Sequence, residues 1–348
     1  MDNSDCMRAI DGSYGEGGGQ LLRTACALSA ITGEAVRLHD IRARRDPPGL
    51  APQHLTAVKA VAALCDAQVE GLELRSEELI FRPGKLRGGE FRFDVGTAGS
   101  VTLVLQALLP VALVAGAPAR IHVIGGTDVR GAPPLDYLRF VSLPLLARMG
   151  AEVPLTLKRR GYYPRGGGEV VVVVSPHRLK ALRIETPGAV QEIHGIAHVA
   201  DLPEHILTRM QKMTARILAD IAPVEIESQI LGHDQAIGQG GAIVLWARTA
   251  HALLGGAEVA QRGIPAERIA GNAAQALRQD ILAGATLDIH ASDQILIYSA
   301  MAPGPSYFLV RTLSSHAQTA LWLLQQFFSL RVNTRPAGAC TRVDIEPG

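Results

Sequence analysis

Aromatic residues are scarce. They make up 4% of the 348 positions, which leaves no broad platform for stacking nucleic-acid bases. Cysteine is rarer still: Cys6, Cys26, Cys65 and Cys340 stand apart with no C-x-x-C pair, against both a zinc site and a disulfide framework. Neither sign of charge dominates, the formal net charge being +1. A protein that coats long duplexes is usually more basic, whereas one that grips a single terminus needs only a local basic patch. The most apolar run, 103–115, contains Pro110 and is shorter than the roughly 20 residues a membrane span needs, so no membrane association is expected. The opening Met-Asp-Asn-Ser-Asp has neither a basic n-region nor an apolar h-region. No signal peptide is therefore expected, and a reduced, soluble, cytoplasmic protein is. The common catalytic signatures are missing too: no G-x-x-x-x-G-K-[ST], no H-E-x-x-H, no G-x-S-x-G, and no lysine in a K-x-D-G context. P-loop, zincin, hydrolase and lysine-adenylylating chemistries lose their usual carriers.

What the chain has is glycine, 36 residues of it, and 20 prolines, within a normal globular balance of 47% hydrophobic and 19% charged residues. Its length is enough for two domains. The densest glycine run lies in the stretch 14–23, Tyr-Gly-Glu-Gly-Gly-Gly-Gln-Leu-Leu-Arg. Such a backbone lets a phosphate approach closely. The apolar run that follows, 21–31, predicts a helix over 19–32 whose first amides face whatever the turn holds, a place suited to an anion. Glu16 offers a carboxylate for a metal and Arg23 a fixed cation. On its own the stretch equally suits a tight turn that caps a buried helix. G-x-G-x-x-G fails at its last position, Gln20, against a dinucleotide site.

Residues 1–7 are expected to be unstructured. After them the chain reads as a strand (8–11), the glycine turn, the helix 19–32, a strand (35–41), an arginine-rich proline–glycine loop (42–50), an amphipathic helix (53–65) and short strands at 67–70, 78–81 and 90–95. The pattern then restarts: a glycine turn (96–100), an apolar helix (101–115), a strand (120–124), the loop 125–134, a helix (136–149), a glycine turn (166–168) and a strand (169–174). It appears a third time near the end. Ser292-Asp293-Gln294 opens a helix to 301, a strand covers 307–311, Ser314-Ser315-His316 opens a helix to 328, and strands follow at 330–333 and 341–345. The second helices of the three units begin near 53, 136 and 316, and the later interval is longer by about 97 residues, the size of a small domain. The expected fold is therefore α+β. Three repeated βα units form a large domain (8–183 and 287–346), with a smaller α+β domain inserted at 184–286. Within the insert, strands at 224–230 and 242–247 and helices at 203–219 and 266–283 are expected.

His316 is the sharpest candidate for chemistry. The hydroxyls of Ser314 and Ser315 suit an N-cap, which places the imidazole in the first helical turn, where the dipole disfavours a positive ring and favours a nucleophilic nitrogen. The plain alternative is a histidine that helps cap a helix.

Many separated motifs carry a resemblance. They are the stretch 14–23, Ile41-Arg-Ala-x-Arg45 with Pro48-Gly-Leu50, Gln53-His-Leu-Thr-Ala-Val-Lys-Ala60, Gly99-Ser-x-Thr-Leu-Val-Leu-Gln106, Gly125-Gly-Thr-Asp128 with Ala132-Pro-Pro134, Gly161-x-Tyr-Pro-x-Gly-Gly-Gly168, Asp293-Gln294 and Ser315-His316. In this order, from about Ile10 to Ile345 and more weakly across the insert, the chain resembles the RNA 3′-terminal phosphate cyclase family. The resemblance implies the repeat fold, shared with enolpyruvyl transferases, plus an inserted domain. It implies ATP and Mg²⁺ or Mn²⁺ as cofactors and RNA 3′-phosphate ends as partners, with protein partners unassigned and a homo-oligomer compatible. It implies that His316 becomes adenylylated and that Glu16 lies near the metal and triphosphate. Arg23 and Arg45 would surround the phosphates with Arg42 as a neighbour. Gln106, Pro133, His290, Ala291, Ser292, Asp293 and Gln294 would form the nucleotide pocket. One residue is inserted between Asp293 and His316 relative to the family pattern, placed in the Pro303-Gly304-Pro305 turn. RNA is expected to meet Arg42, Arg44 and Arg45, whereas Lys158, Arg159, Arg160 and Arg165 read as a solvated charged face. The face around Arg209, Lys212 and Arg216 suits either RNA or solvent. Two other classes share the fold: cyclase-like ribosome-assembly factors that lack the nucleophilic histidine pattern, and enolpyruvyl transferases, which would need a basic pocket for a shikimate-like acid.

Overall fold

A computed structural model of the chain describes residues 7–348. Cys6 and the expectation for residues 1–6 lie outside the described residues, and Met7 is half-buried against the first strand. The first unit comprises β1 (Arg8–Asp11), α1 (Gly19–Thr32), β2 (Val36–His39), α2 (Pro52–Cys65), β3 (Gln68–Glu70) and β4 (Leu79–Arg82). The second comprises β5 (Gly89–Asp94), α3 (Val101–Leu113), β6 (Ala119–Gly125), α4 (Leu135–Tyr137), a π-helical turn (Leu138–Ser142), α5 (Leu143–Arg148), β7 (Leu155–Gly161) and β8 (Gly168–Val174). Then come β9 (Val190–Ala200), α6 (His205–Leu218), β10 (Val224–Leu231), β11 (Ala236–Ile237), β12 (Gly240–Thr249), β13 (Leu253–Val259) and α7 (Ala266–Ala283). The third unit closes the chain with α8 (Ile289–Met301), β14 (Ser306–Val310), α9 (Ser315–Phe327), β15 (Leu330–Ala337) and β16 (Cys340–Pro347).

Sheet topology makes the repetition explicit. The first unit has the order β1-β2-β4-β3 and the second β5-β6-β8-β7, with β11 added beyond β7. In both four-strand units the first two strands are parallel and the remaining pairs antiparallel, while β11 joins β7 in parallel. The third unit has β14-β16-β15, antiparallel throughout. Its missing first strand is supplied by Arg183, which bridges Tyr307 in parallel, with Ile184 N–H donating to the Tyr307 carbonyl at 2.9 Å. The long segment β9–α7 thus leaves the third unit after its first strand and returns at its first helix. Its sheet, β10-β9-β12-β13, carries α6 and α7 over a core that includes Ile193, Met210, Leu245, Leu254 and Leu277.

Helices fill the centre of the three-unit body: α1 packs on α2, α3 and α9, and α8 packs on α9. These helices are small-residue-rich or apolar nearly all round, as buried helices are. On α1 every residue from Leu21 to Ala30 except Thr24 is buried. Three expectations need correction. Pro110 does not interrupt the apolar run, because α3 runs through it to Leu113. The helix expected over 136–149 is one path in three parts, with a π-turn in its middle. And α8 begins at Ile289 rather than at Ser292, because the buried Asp288 caps it, accepting from the amides of His290 and Ala291. No helix among the described residues is long and apolar enough to cross a membrane.

Candidate active site

The glycine stretch folds as a tight turn off the end of β1. Asp11 accepts from both the amide and the hydroxyl of Ser13, at 2.8 and 2.7 Å, an Asx-type turn. Gly15 takes φ 62° and Gly17 φ 55°, a region open to glycine and costly for other residues. Then α1 starts, with Gly18 as N-cap and no side chain on its first amides. These amides and the positive end of the helix face outward toward the turn.

A second helix start meets this turn. Ser314 caps α9: its hydroxyl accepts from Ala317 N–H at 2.9 Å and donates to Asp293 Oδ1 at 2.6 Å. Ser315, expected to share the capping, instead donates its hydroxyl to Glu16 Oε1. His316, in the first turn as expected, presents Nε2 at 3.4 Å from Glu16 Oε2, with its side chain 47% exposed. From the other side, Arg45 reaches the Glu16 carbonyl at 3.4 Å and its carboxylate at 3.8 Å, and Arg44 reaches the Gly15 carbonyl at 3.5 Å. One exposed imidazole, one carboxylate and two arginines therefore share the rim.

Behind the rim runs a cleft between α1, α3, the π-turn and α8. Gln20, Arg23, Thr24, Gln106, Ser142, Ala291, Asp293 and Gln294 supply its polar and helical lining. Ser142 donates to Gln294 Oε1 at 2.8 Å, which leaves the Gln294 amide N–H groups free to donate. Wide helical turns often sit at functional sites, and this one turns Ser142 toward the cleft. Arg23 is buried, and burial pushes its guanidinium down to about 10. A buried cation without a carboxylate beside it is costly unless an anion joins it. The Gln20 side-chain oxygen is buried and unpaired. Asp293 is raised to about 6, by burial above all, with the Ser314 hydroxyl and the nearby His290 and His316 working against the rise.

His54 lies behind the glycine turn, against Gly19 and Arg23. Its Nδ1 accepts from Ala51 N–H at 3.0 Å. Burial, Arg23 and Arg42 hold it down at about 3, so it is a neutral ring whose proton sits on Nε2. That nitrogen points at Gly19, where an added Cβ would overlap it and come within 3.0 Å of Arg23 Nη1.

Of the expected nucleotide residues, Arg23, Gln106, Ala291, Asp293 and Gln294 line the cleft. Pro133 does not. Its carbonyl accepts from Thr102 at 2.8 Å, one turn before Gln106 on α3. Ser292 is buried and donates to its own helix at Ile289. His290 is exposed, its ring edge-on to Tyr137. Arg42 turns inward, donating to the Gly49 carbonyl at 2.6 Å, so it braces the loop on which Arg44 and Arg45 stand. Pro133, Ser292 and His290 were expected in the nucleotide pocket, and Arg42 beside the phosphate arginines, from the resemblance alone. Gln20, His54 and Ser142 were missed. The first two lie inside motifs already singled out, while Ser142 depends on the π-turn, which no local pattern announces.

One further basic segment differs in part from expectation. Arg160 is not solvated: it is 2% exposed and bridges Asp136 at 2.6 Å and Asp128 at 3.2 Å. Arg159 holds Glu169 at 3.2 Å. On α6, Arg209 forms a two-pronged bond to Glu267 of α7 at 2.6 and 2.5 Å.

For a metal, Glu16 fits in kind. Mg²⁺ is commonly held by one or two carboxylates with phosphate oxygens and waters making up the rest. Glu16 belongs to no cluster of three metal-ligating side chains among the described residues, so any ion there would depend on the triphosphate.

Residues 14–334 match the family profile described as RNA 3′-terminal phosphate cyclase. Proteins named RNA 3′-terminal phosphate cyclase are similar along nearly the whole chain. That of Nitrosospira multiformis is 55% identical over 342 residues, covering 98% of this chain and 97% of the relative. That of Hyperthermus butylicus is 47% identical over 320 residues, 90% and 89% of the two chains. That of Methanopyrus kandleri is 45% identical over 345 residues, 97% and 98%.

Proposed function

This chain belongs to the RNA 3′-terminal phosphate cyclase family, and we propose that it uses ATP to turn an RNA 3′-terminal phosphate into a 2′,3′-cyclic phosphodiester, with His316 carrying the adenylyl group. The observation that carries this reading is the exposed His316 at the start of α9, facing Glu16 across the glycine turn, on a helix whose Ala320 and Leu324 line the cleft that holds Arg23.

In the first step His316 Nε2 attacks the α-phosphorus of ATP. A nitrogen–phosphorus bond forms, the bond to the β-phosphate oxygen breaks, and pyrophosphate leaves. The bare amides of α1, Arg23 and Arg45 neutralise the triphosphate, which is where most of the catalytic stabilisation of such transfers arises. Glu16 would hold a divalent cation, whose charge assists the leaving pyrophosphate. Gln106, Asp293 and Gln294 seat the nucleoside. In the second step a terminal phosphate oxygen of the RNA displaces His316 and takes the adenylyl group as a phosphoanhydride. In the third, the neighbouring ribose 2′-oxygen attacks that terminal phosphorus, AMP leaves, and the ring closes. This step is intramolecular, so the enzyme supplies position more than a strong base.

Residues 8–183 with 287–346 would form the catalytic domain and 184–286 its inserted partner. The cytoplasm and single-stranded RNA ends are the setting this reading implies. The test is incubation of the full chain with α-radiolabelled ATP and Mg²⁺, beside His316→Ala. Wild type is expected to take an acid-labile, alkali-stable label, and His316→Ala none, with an unchanged melting temperature because the ring is half exposed. An unlabelled wild type would overturn the reading.

A further inference from the structure

In a chain with few aromatics, two rings meet at the rim of this site. Tyr14 and Trp322 stack with centroids 3.8 Å apart and planes 15° apart, and Tyr14 is 39% exposed. The stack is built by a stripe on α9. Ser315, Thr319 and Trp322 follow one another at helical spacing on one face, and the glycine turn runs back along them. Ser315 bonds Glu16, the Gly15 backbone lies against Thr319, and Tyr14 covers Trp322. The stack is six residues from His316, about 9 Å along the helix axis, a span of the order of one nucleotide. On the opposite flank of the same turn stand Arg44 and Arg45, anchored to the Gly15 and Glu16 carbonyls, with Arg45 48% exposed.

A nucleophile, two cations and a partly exposed aromatic ring around one glycine turn are the parts that bind a single-stranded RNA end, where bases stack on rings and phosphates meet arginines. We propose that the Tyr14–Trp322 stack seats the base of the RNA's 3′-terminal nucleotide through the exposed face of Tyr14, with Arg44 and Arg45 on the adjoining phosphates. This rests on the cyclase reading of the site and adds to it a base subsite. Stacking tolerates every base, because each has a π-face, so the seat selects for the presence of a base and not for its identity. The competing account is that the rings only pin the glycine turn to α9.

The test uses the full chain and two short single-stranded RNAs with a 3′-phosphate, identical except that one lacks the terminal base. The readout is the ratio of their affinities within each protein, so any general disturbance of the turn cancels. Wild type and Tyr14→Phe are expected to prefer the complete RNA by about tenfold, and Tyr14→Ala to bind both alike. A wild type without preference overturns the proposal, and so does a Tyr14→Ala variant that weakens both RNAs while keeping the tenfold ratio. Failure of the underlying reading shows separately, as absence of ATP-derived label on wild type before any RNA is added.

Discussion

Two histidines in this protein lie beside carboxylates at nearly the same distance, and they have opposite circumstances. His316 Nε2 is 3.4 Å from Glu16, its side chain 47% exposed. His198 Nε2 is 3.5 Å from Asp136 and 3.7 Å from Asp128, with all three side chains fully enclosed. Around His198 the charges are answered from within. Arg160 bridges both aspartates, and Tyr162 shares a 2.8 Å hydrogen bond with Nδ1. For Asp128, burial alone would raise the carboxyl, but Arg160 and His198 outweigh it and hold it well below the usual range. Although two aspartates and a histidine could in shape hold a cation, the guanidinium already stands there. The cluster ties β9 of the inserted segment to α4 and β7 of the second unit. At His316, by contrast, Arg23 lies buried with no internal anion and the α1 amides have no capping side chain. The same residue types hold two parts of the chain together where their charges are paired, although Asp128 Oδ1, Asp136 Oδ1 and His198 Nε2 make no hydrogen bond there. Beside the opening, Arg23 is left without such a partner among the described residues, which is the arrangement the proposed triphosphate site calls for.

The contrast can be broken most forcefully at Arg160. Arg160→Met would leave two buried carboxylates with only His198, and removing one partner of a buried ion pair costs about 3–5 kcal/mol. Denaturant unfolding should report that loss, against no change for His316→Ala. Adding Asp136→Asn to Arg160→Met should recover part of it, since the double variant buries one charge fewer. Strictly additive losses would mean that the cluster is not held by its charges.

The open site should respond in the reverse manner, in chemistry more than in stability. Gly15 has φ 62°, and a Cβ there would collide with Thr319 Oγ1. Gly15→Ala is expected to cost the fold about 1–2 kcal/mol in backbone strain, with the collision in addition. It should lower ATP-dependent labelling of His316 by about tenfold to a hundredfold, because the turn carrying Glu16 must shift and small misplacements at reacting groups are expensive. Thr319→Ala in the same chain relieves the collision but not the backbone strain, so labelling should return only partly.

Much of this is legible in the sequence. The spacing of glycine turns and apolar runs shows three units, helix 19–32 is legible to the residue, and His316, Glu16 and Arg23 stand out because glycine, charge and helix starts are local signals, whereas Asp293 rests on the family resemblance. What escaped was non-local. β9 and β13 escape because one is broken up by Gln191, Glu192, His194, Gly195 and His198 and the other carries Gly255 and Gly256, against strand propensity. The start of α8 was placed late because a buried Asp288, held also by Tyr137 and the Gly255 amide, reads in sequence as an ordinary turn residue. Arg160 looked like one cation of a solvated run, and only the approach of Asp128, Asp136 and His198 from three other segments makes it a core residue. Tyr14 and Trp322 are separated by nearly the whole chain, so their stack is invisible until the glycine turn is laid along α9.

Asp293 sharpens the comparison from an intermediate position. It is largely buried, as Asp128 is, yet no guanidinium faces it, and its carboxyl rises to about 6 where that of Asp128 falls. The sign of the consequence follows from linkage. With the folded value above the free value of 3.8, ionising Asp293 costs the folded state. The cost is absent below pH 3.8, grows as pH rises, and is complete above about pH 6. Asp293→Asn should therefore stabilise the protein slightly at pH 8 and not at pH 4. Activity should run the other way. The ionised carboxylate accepts the Ser314 hydroxyl at 2.6 Å, and that hydroxyl caps the helix carrying His316. Protonation weakens a charge-assisted bond to an ordinary one, a change of roughly 1 kcal/mol or about fivefold. Labelling of His316 measured between pH 5 and 8 should show a step of that size centred near pH 6 in wild type. Asp293→Asn should lack the step and stay near the low-pH level, and a variant that kept it unchanged would place the titrating group elsewhere.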